Sequence, residues 1–482
     1  MCNRITRAAV GVGASAALSA LGVVGVSAAG AATQAPRQAQ APSLVASHAQ
    51  GVPGEQLWLQ RYNGSGNGLD EAQSVAVSPD GRTVFVTGQS ANTTTYDYPM
   101  DYITVAYSVA SGAQLWVQRY NGPADKADVP ASVAVSPDGS NVFVTGSSET
   151  SKPETEHEGF FTDYATVAYS ATSGAQLWIQ RYNGPAGLND GASSVTVTGT
   201  KVFVTGRSEG DYATIAYNPT TGARLWIKRY DHGSATWVAS PGNGRVYVTG
   251  TSRGDYATVA YSAAGAQLWV QRYNGPANLG DYAASLAVNP AGTAIFVTGT
   301  GETSKASAYA TVAYNATSGA RLWVKRYNGP VSVNGFDDAR SVAVARDGTK
   351  VFVTGSSFAG MTARYDYATV AYSATSGARL WVKRYNSGNG FDDAYSVSAG
   401  NGKVYVTGSS SPTLSSHTGY ATIAYSAGTG ARLWVERYGG PANGPDVAHS
   451  VAVNPAGSKV FVTGQSDGDT TGIDYATIAH SG

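Results

Sequence analysis

The sequence predicts an all-β protein, an eight-bladed β-propeller of four-stranded antiparallel blades. Three observations carry this. Three short phrases recur in fixed order, each eight times. Each phrase is rich in β-branched and aromatic residues and is bounded by turn residues, as strands are. The chain also begins and ends on complementary fragments of one repeat.

The first phrase is LWVQRY, with its tryptophan at Trp58, Trp116, Trp178, Trp226, Trp269, Trp323, Trp381 and Trp434. The second is VFVTG or VYVTG, ending at Gly88, Gly146, Gly206, Gly250, Gly299, Gly355, Gly408 and Gly464. The third is YATVAY, starting at Tyr102, Tyr164, Tyr212, Tyr256, Tyr309, Tyr367, Tyr420 and Tyr475. A looser fourth phrase, SVAVSPDG at Ser132–Gly139, lies between the first and second. Pro-Asp-Gly before VFVTG and Ser-Gly before LWVQRY are tight-turn signals. Four strands repeated at this spacing are a propeller signature, and no phrase has helical periodicity.

The frame of the repeat predicts how the ring closes. A lone QLWLQRY stands at Gln56–Tyr62, and the chain ends just after YATIAH at Tyr475–His480. With the blade order SVAV, FVTG, YATVAY, LWVQRY, the last blade lacks its outer strand. Residues 56–62 supply it.

Composition agrees. Only 13% of the 482 residues are charged, while glycine (59) and tyrosine (30) are abundant, which suits strands and turns rather than helices or disorder. The formal net charge is zero and no long basic run exists, so nucleic acid and anionic membrane are not expected partners. Residues 1–32 read as a secretory signal peptide. Arg4 and Arg7 precede an uncharged run from Ala8 to Ala32 that ends in small residues around Ala29-Gly30-Ala31. The run is long enough for a membrane anchor, but its Ala/Gly content favours cleavage. Residues 33–54, with Pro36, Pro42 and Pro53, read as a flexible linker, and residues 55–482 as the propeller. The expected product is a secreted, extracellular monomer. Its only cysteine, Cys2, lies in the signal, so disulfides, thiolate metal sites and cysteine nucleophiles are excluded.

The stretch Ala313–Trp323, AYNATSGARLW, resembles the tryptophan-docking motif of the quinoprotein, or PQQ-like, propellers. The match holds at the Ala, Gly and Trp positions and departs at the third, where Ser or Asn replaces Asp. The whole repeat, from Glu55 to His480, is also similar to the bacterial secreted β-propeller (SBBP-type) repeats. The resemblance implies that the eight tryptophans dock neighbouring blades. Quinoproteins bind PQQ with Ca²⁺ over the channel beside a catalytic Asp, and many set a pair of adjacent cysteines against the cofactor. No cofactor-binding phrase and no such cysteines carry over, so PQQ is not the expected cofactor.

Two faces follow from the strand order. The SVAV–FVTG and YATVAY–LWVQRY turns share a bottom face and are short. The remaining connections share a top face and vary: SSETSKPETEHEGFFTD follows Gly146, whereas RSEGD follows Gly206. Variable loops on a rigid scaffold are where binding resides. Two sets of acids stand near that top edge. Asp70, Asp128, Asp190, Asp281, Asp337, Asp392 and Asp446 precede the inner strands, Asp338 and Asp393 double two of them, and the fourth blade carries Trp237 instead. These residues are the candidate ligand-binding rim, suited to Ca²⁺ or to a cationic or polyhydroxylated ligand. The competing reading has each Asp capping its own turn. The second set, Asp101, Asp163, Asp211, Asp255, Asp366 and Asp474, matches an arginine three residues past each tryptophan and suggests structural ion pairs. Asp467, Asp469 and Asp474 resemble the start of a calcium loop that lacks its downstream glutamate.

No H-E-x-x-H sequence occurs, and no G-x-S-x-G nucleophile elbow is expected, because the matches at 206–210, 250–254 and 464–468 sit at the ends of VTG strand phrases with no helical pattern after them. His449 lies between Asp446 and Ser450, but alternation along a strand argues against a relay among them. The expected function is therefore a secreted binding module that takes a protein, carbohydrate or small-molecule ligand on its top face. The alternative is an extracellular enzyme, either a quinoprotein-like oxidoreductase or a carbohydrate-active hydrolase or lyase.

Overall fold

The computed structural model describes residues 52–92, 99–150, 161–331, 335–360, 364–414, 416–442 and 444–482. The chain divides into two units, Met1–Gln50 and Gly51–Gly482, and all described residues lie in the second. The signal peptide and most of the linker therefore fall outside the described residues, as does most of the long insertion after Gly146.

Eight four-stranded antiparallel sheets form the blades. The first runs Asp70–Val77, Thr83–Ala91, Met100–Ser108, Gln114–Tyr120, in that spatial order. The eighth is made of Val447–Val453, Lys459–Asp467 and Ile473–Ser481, and its outer strand is Gln56–Tyr62. Leu59 pairs with Ile478 and Tyr62 with Tyr475. The closure predicted from the frame is the one observed. Each inner strand contacts the inner strands of both neighbouring blades, and the eighth contacts the first, so the ring is continuous. Among the described residues the only helical element is one 3₁₀ turn, Asp469–Thr471, and no helix is long and apolar enough to cross a membrane.

The core is split into seams between blades. At the seam of the sixth and seventh, buried Trp381 lies 5.8 Å from Phe352 of its own blade and 6.1 Å from Tyr425 of the next. Its indole N–H donates to the Ala427 carbonyl at 3.3 Å. Gly430 of the next blade packs under the ring with φ 69°, and a Cβ there would sit 2.7 Å from the indole. The Ser/Thr-Gly turn and the tryptophan are thus two halves of one joint. Burying about 200 Å² per indole at about 25 cal/mol/Å² contributes about 5 kcal/mol per seam. Tyr367 adds a hydroxyl bond to Ala421 O of the next blade, 3.1 Å.

A bulge interrupts every inner strand, and it explains the invariant VTG glycine. At the sixth blade the register shifts between Ala339 and Ser341. The bulge pushes the Asp338 carbonyl to 1.9 Å from where a Cβ of Gly355 would lie. The bulge also aims the following serine at the next blade. Ser74, Ser132, Ser194, Ser285, Ser341, Ser396 and Ser450 each accept a hydrogen bond from the next inner strand's backbone N–H, at 3.2–3.4 Å. Trp237 takes the eighth place. There Thr236 bonds to Ala283 O instead, at 3.1 Å.

Candidate functional site

The seven inner-strand aspartates do not ring an open mouth. Asp70, Asp128, Asp190, Asp281, Asp337, Asp392 and Asp446 are all buried. The preceding loop folds back over each, and its backbone N–H donates to the carboxylate. Gly64 N reaches Asp70 at 2.7 Å, Gly184 N reaches Asp190 at 2.6 Å, and Ser387 N reaches Asp392 at 2.9 Å. Gly122, Gly275, Gly329 and Gly440 do the same for Asp128, Asp281, Asp337 and Asp446. Burial pushes the Asp70 and Asp128 carboxyls up to about 6, against the lowering effect of these bonds. The geometry corrects their placement at a ligand-facing rim, because a carboxylate closed over by its own loop cannot meet a ligand.

The second acid set ties strands together. Arg61 meets Asp474 at 2.9 Å, Arg119 meets Asp101 at 2.6 Å and Arg384 meets Asp366 at 2.9 Å. Arg181–Asp163, Arg229–Asp211 and Arg272–Asp255 follow. Several of these arginines also reach the previous blade's tyrosine, as Arg384 does to Tyr327 at 3.1 Å. Asp474 is therefore taken by Arg61, and by Thr471 at 2.9 Å. Asp467 accepts the Asp469 N–H at 3.1 Å. Asp467, Asp469 and Asp474 do not gather as a ligand set, which corrects the calcium-loop reading. Among the described residues one such group exists, Asp211, Asp231 and His232. Arg229 and Arg253 already pair with its aspartates.

The ring is asymmetric at the bulge. The bulged residue, first blade to eighth, is Gln73, Ala131, Ser193, Thr236, Ala284, Arg340, Tyr395 and His449. Small side chains occupy the second to fifth blades. Large polar ones occupy the sixth, seventh, eighth and first, and they touch in sequence around the channel. Thr300 donates to Asp338, whose carboxylate stands 3.3 Å from the Arg340 guanidinium. Arg340 lies over the Tyr395 ring, 4.6 Å from its centroid. Tyr395 and His449 have centroids 6.0 Å apart. His449 Nε2 is 3.1 Å from Glu71, which Gln89 also meets at 2.9 Å. Burial raises the Glu71 carboxyl, but His449, Gln73 and Gln89 outweigh it and hold the group below its usual range. Asp446 and Ser450 stay with their own backbone partners, so no relay forms around His449.

An aromatic and acidic patch stands above this ribbon. The sixth and seventh blades share the phrase GFDDA, and Phe336 and Phe391 are 61% and 39% exposed. Tyr365 stacks on Phe391 with centroids 6.2 Å apart. The Tyr365 hydroxyl pKa is raised by burial and by the charges of Asp393, Asp337 and Asp338, which places those acids around it. Asp338 and Asp393 stay partly exposed, unlike Asp337 and Asp392 beside them. Across the channel, Trp237 is 42% exposed midway along an innermost strand. The rim residues open to solvent are thus Asp338, Asp393 and Trp237. The sequence reading missed Glu71, Phe336, Arg340, Phe391 and Tyr395, and weighed His449 only for a relay. Comparing the residue just before each inner-strand serine across blades would have found Arg340, Tyr395 and His449 together.

Solved structures show the same fold. The Chaetomium thermophilum Sqt1 propeller bound to the N-terminus of ribosomal protein L10 superposes with TM-score 0.56 at 11% identity, covering 88% of this chain and 100% of that one. A Dos1 propeller gives 0.57 at 11%, covering 88% and 95%. A quinohemoprotein alcohol dehydrogenase from Pseudomonas putida HK5 gives 0.52 at 11%, covering 89% and 76%. No curated protein matches the sequence. A family model described as outer membrane protein assembly factor BamB matches residues 99–348 and 310–477.

Proposed function

Since the chain belongs to the PQQ-like propeller family described as outer membrane protein assembly factor BamB, we propose that it is a secreted module that binds a protein segment at the mouth of its channel. One observation carries the reading: at the bulge, the large polar and aromatic side chains are confined to half the ring. Structural roles repeat in nearly every blade, as the aspartate caps and tryptophan joints do. Arg340, Tyr395, His449 and Glu71 do not repeat. Exposed aromatic rings beside open carboxylates suit an extended segment that carries apolar and basic side chains. That Sqt1 binds a protein N-terminus supports the choice of a peptide. The repeat phrases and the basic, Ala-rich leader support export and a place among the secreted bacterial propeller repeats.

An array of peptides tiling exported proteins, probed with wild type and with a D338N/D393N variant, tests this. Wild type should bind peptides carrying Lys or Arg next to apolar residues, and the variant should lose them. Equal binding by both proteins sinks the proposal.

A further inference from the structure

The zero net charge hides two faces of different character. On the top face, cations are largely consumed by the Arg–Asp ties. On the bottom face of the fifth to seventh blades cations outnumber acids, although Glu436 stands in the seventh blade where Lys325 and Lys383 stand in the fifth and sixth. The outer hairpins of the fifth, sixth and seventh blades end in exposed Arg321, Arg379 and Arg432, and no acid occurs within 315–321, 373–379 or 426–432. Lys325 and Lys383 lay their stems across the turn glycine of the next blade, Gly377 and Gly430. No ion pair engages any of these five cations among the described residues. The matching positions of the first, second and fourth blades are glutamines.

The same arc contains a cavity. The seventh blade's inner hairpin is cut to Gly400–Lys403, without the longer Arg-Asp-Gly and Pro-Ala-Gly tips of the sixth and eighth, and leaves a notch of about 350 Å³. Arg346, Lys350 and Lys403 line it. Its one acid, Asp347, is bound to Thr349 N at 2.9 Å and Thr349 Oγ1 at 2.7 Å. Arg346 donates to the Asn454 carbonyl at 3.2 Å and to Pro455, so it spans the notch while remaining exposed.

We infer that the bottom face of the fifth to seventh blades binds an acidic polysaccharide, with one anionic group in the notch and others along the arginine rim. A recess with three cations and one acid focuses a net positive field on such a group, and cations repeated blade by blade suit charges repeated along a polymer. Among the described residues the exposed aromatic ones are Trp237, Tyr282, Phe336 and Phe391, all on inner strands or top-face loops. Among the described residues the bottom face therefore offers no base-stacking platform, which disfavours nucleic acid. Exposed Leu322, Leu380 and Leu433 stand beside the arginines, but no exposed aromatic anchor accompanies them among the described residues, which disfavours insertion into a membrane.

Alginate fragments, titrated by fluorescence anisotropy between about 50 and 200 mM salt, test the inference. Wild type should bind at low salt and weaken steeply as salt rises. K350Q/K383Q/K403Q should bind about tenfold or more weakly at low salt, with a shallower salt slope. K126Q/K305Q, which removes cations from top-face loops, should match wild type. Absence of wild-type binding, or equal loss in both variants, overturns the inference. Tighter binding to duplex DNA or to anionic vesicles than to alginate overturns the choice of polymer. Since the site is remote from the channel mouth, failure here leaves the peptide proposal standing, and D338N/D393N should bind alginate like wild type.

Discussion

His480 stands where seven blades carry the second tyrosine of YATVAY, and it does so in the blade that closes the ring. It is 4% exposed, its Nδ1 is 3.1 Å from the Gly54 carbonyl, and its ring lies 5.8 Å from Trp434. Burial pushes its pKa down from 6.5 to about 4, against the small raising effect of Gly54. The sign follows directly. The unfolded chain takes up a proton near pH 6.5, while the folded one resists until about pH 4. Stability is therefore lost as pH falls through that window. At pH 4.5 the loss is about 2–3 kcal/mol relative to pH 7. Asp70 and Asp128 titrate in the same range with the opposite sign, because their folded pKa values of about 6 lie above the ordinary 3.8. Only a difference between variants isolates the histidine. H480Y restores the side chain used at the other seven seams. Urea denaturation of both proteins from pH 7 to 4.5 should show H480Y gaining about 2–3 kcal/mol on wild type as pH falls. A constant difference across that range would refute the reasoning.

Other seams give further tests. R61A leaves nearly buried Asp474 without its partner and should cost about 3 kcal/mol in urea melts, whereas R326A, whose blade has Ala308 in place of the acid, should cost about 1 kcal/mol or less. W237S supplies the missing eighth serine and should stabilise the ring by about 0.5–1 kcal/mol by the same assay. W58A should destabilise by about 3–5 kcal/mol, because the indole is buried against Tyr107 and Phe461. Comparable losses for R61A and R326A, a destabilised W237S, or a W58A that melts like wild type would each contradict the packing described.

The architecture was legible because each of its devices is local and repeated. Trp381, Gly430 and Tyr425 keep fixed places in their phrases, so the joint between blades reads directly from the chain. The frame of residues 56–62 and 475–480 likewise carries the closure. Counting back from the inner-strand serine put Asp70 and its kin near the mouth, but it could not show the loop turning over them. That fold-back depends on backbone N–H groups such as Gly64 and Gly184, which leave no side-chain signature. The channel asymmetry was hidden for another reason. A bulge, rather than strict alternation, aims Arg340, Tyr395 and His449, and bulges have no strong sequence mark. The basic arc escaped notice because Arg321, Arg379 and Arg432 lie more than fifty residues apart and meet only in the ring.

The central claim is that the half-ring of Arg340, Tyr395, His449 and Glu71 recognises a ligand. Fluorescence anisotropy with the strongest array peptide measures it directly, comparing R340A/Y395A with A131S/S193A on the opposite wall. The account predicts a loss of about tenfold or more, equivalent to about 1.4 kcal/mol, in the first variant and none in the second. Equal affinities for the two variants would contradict it.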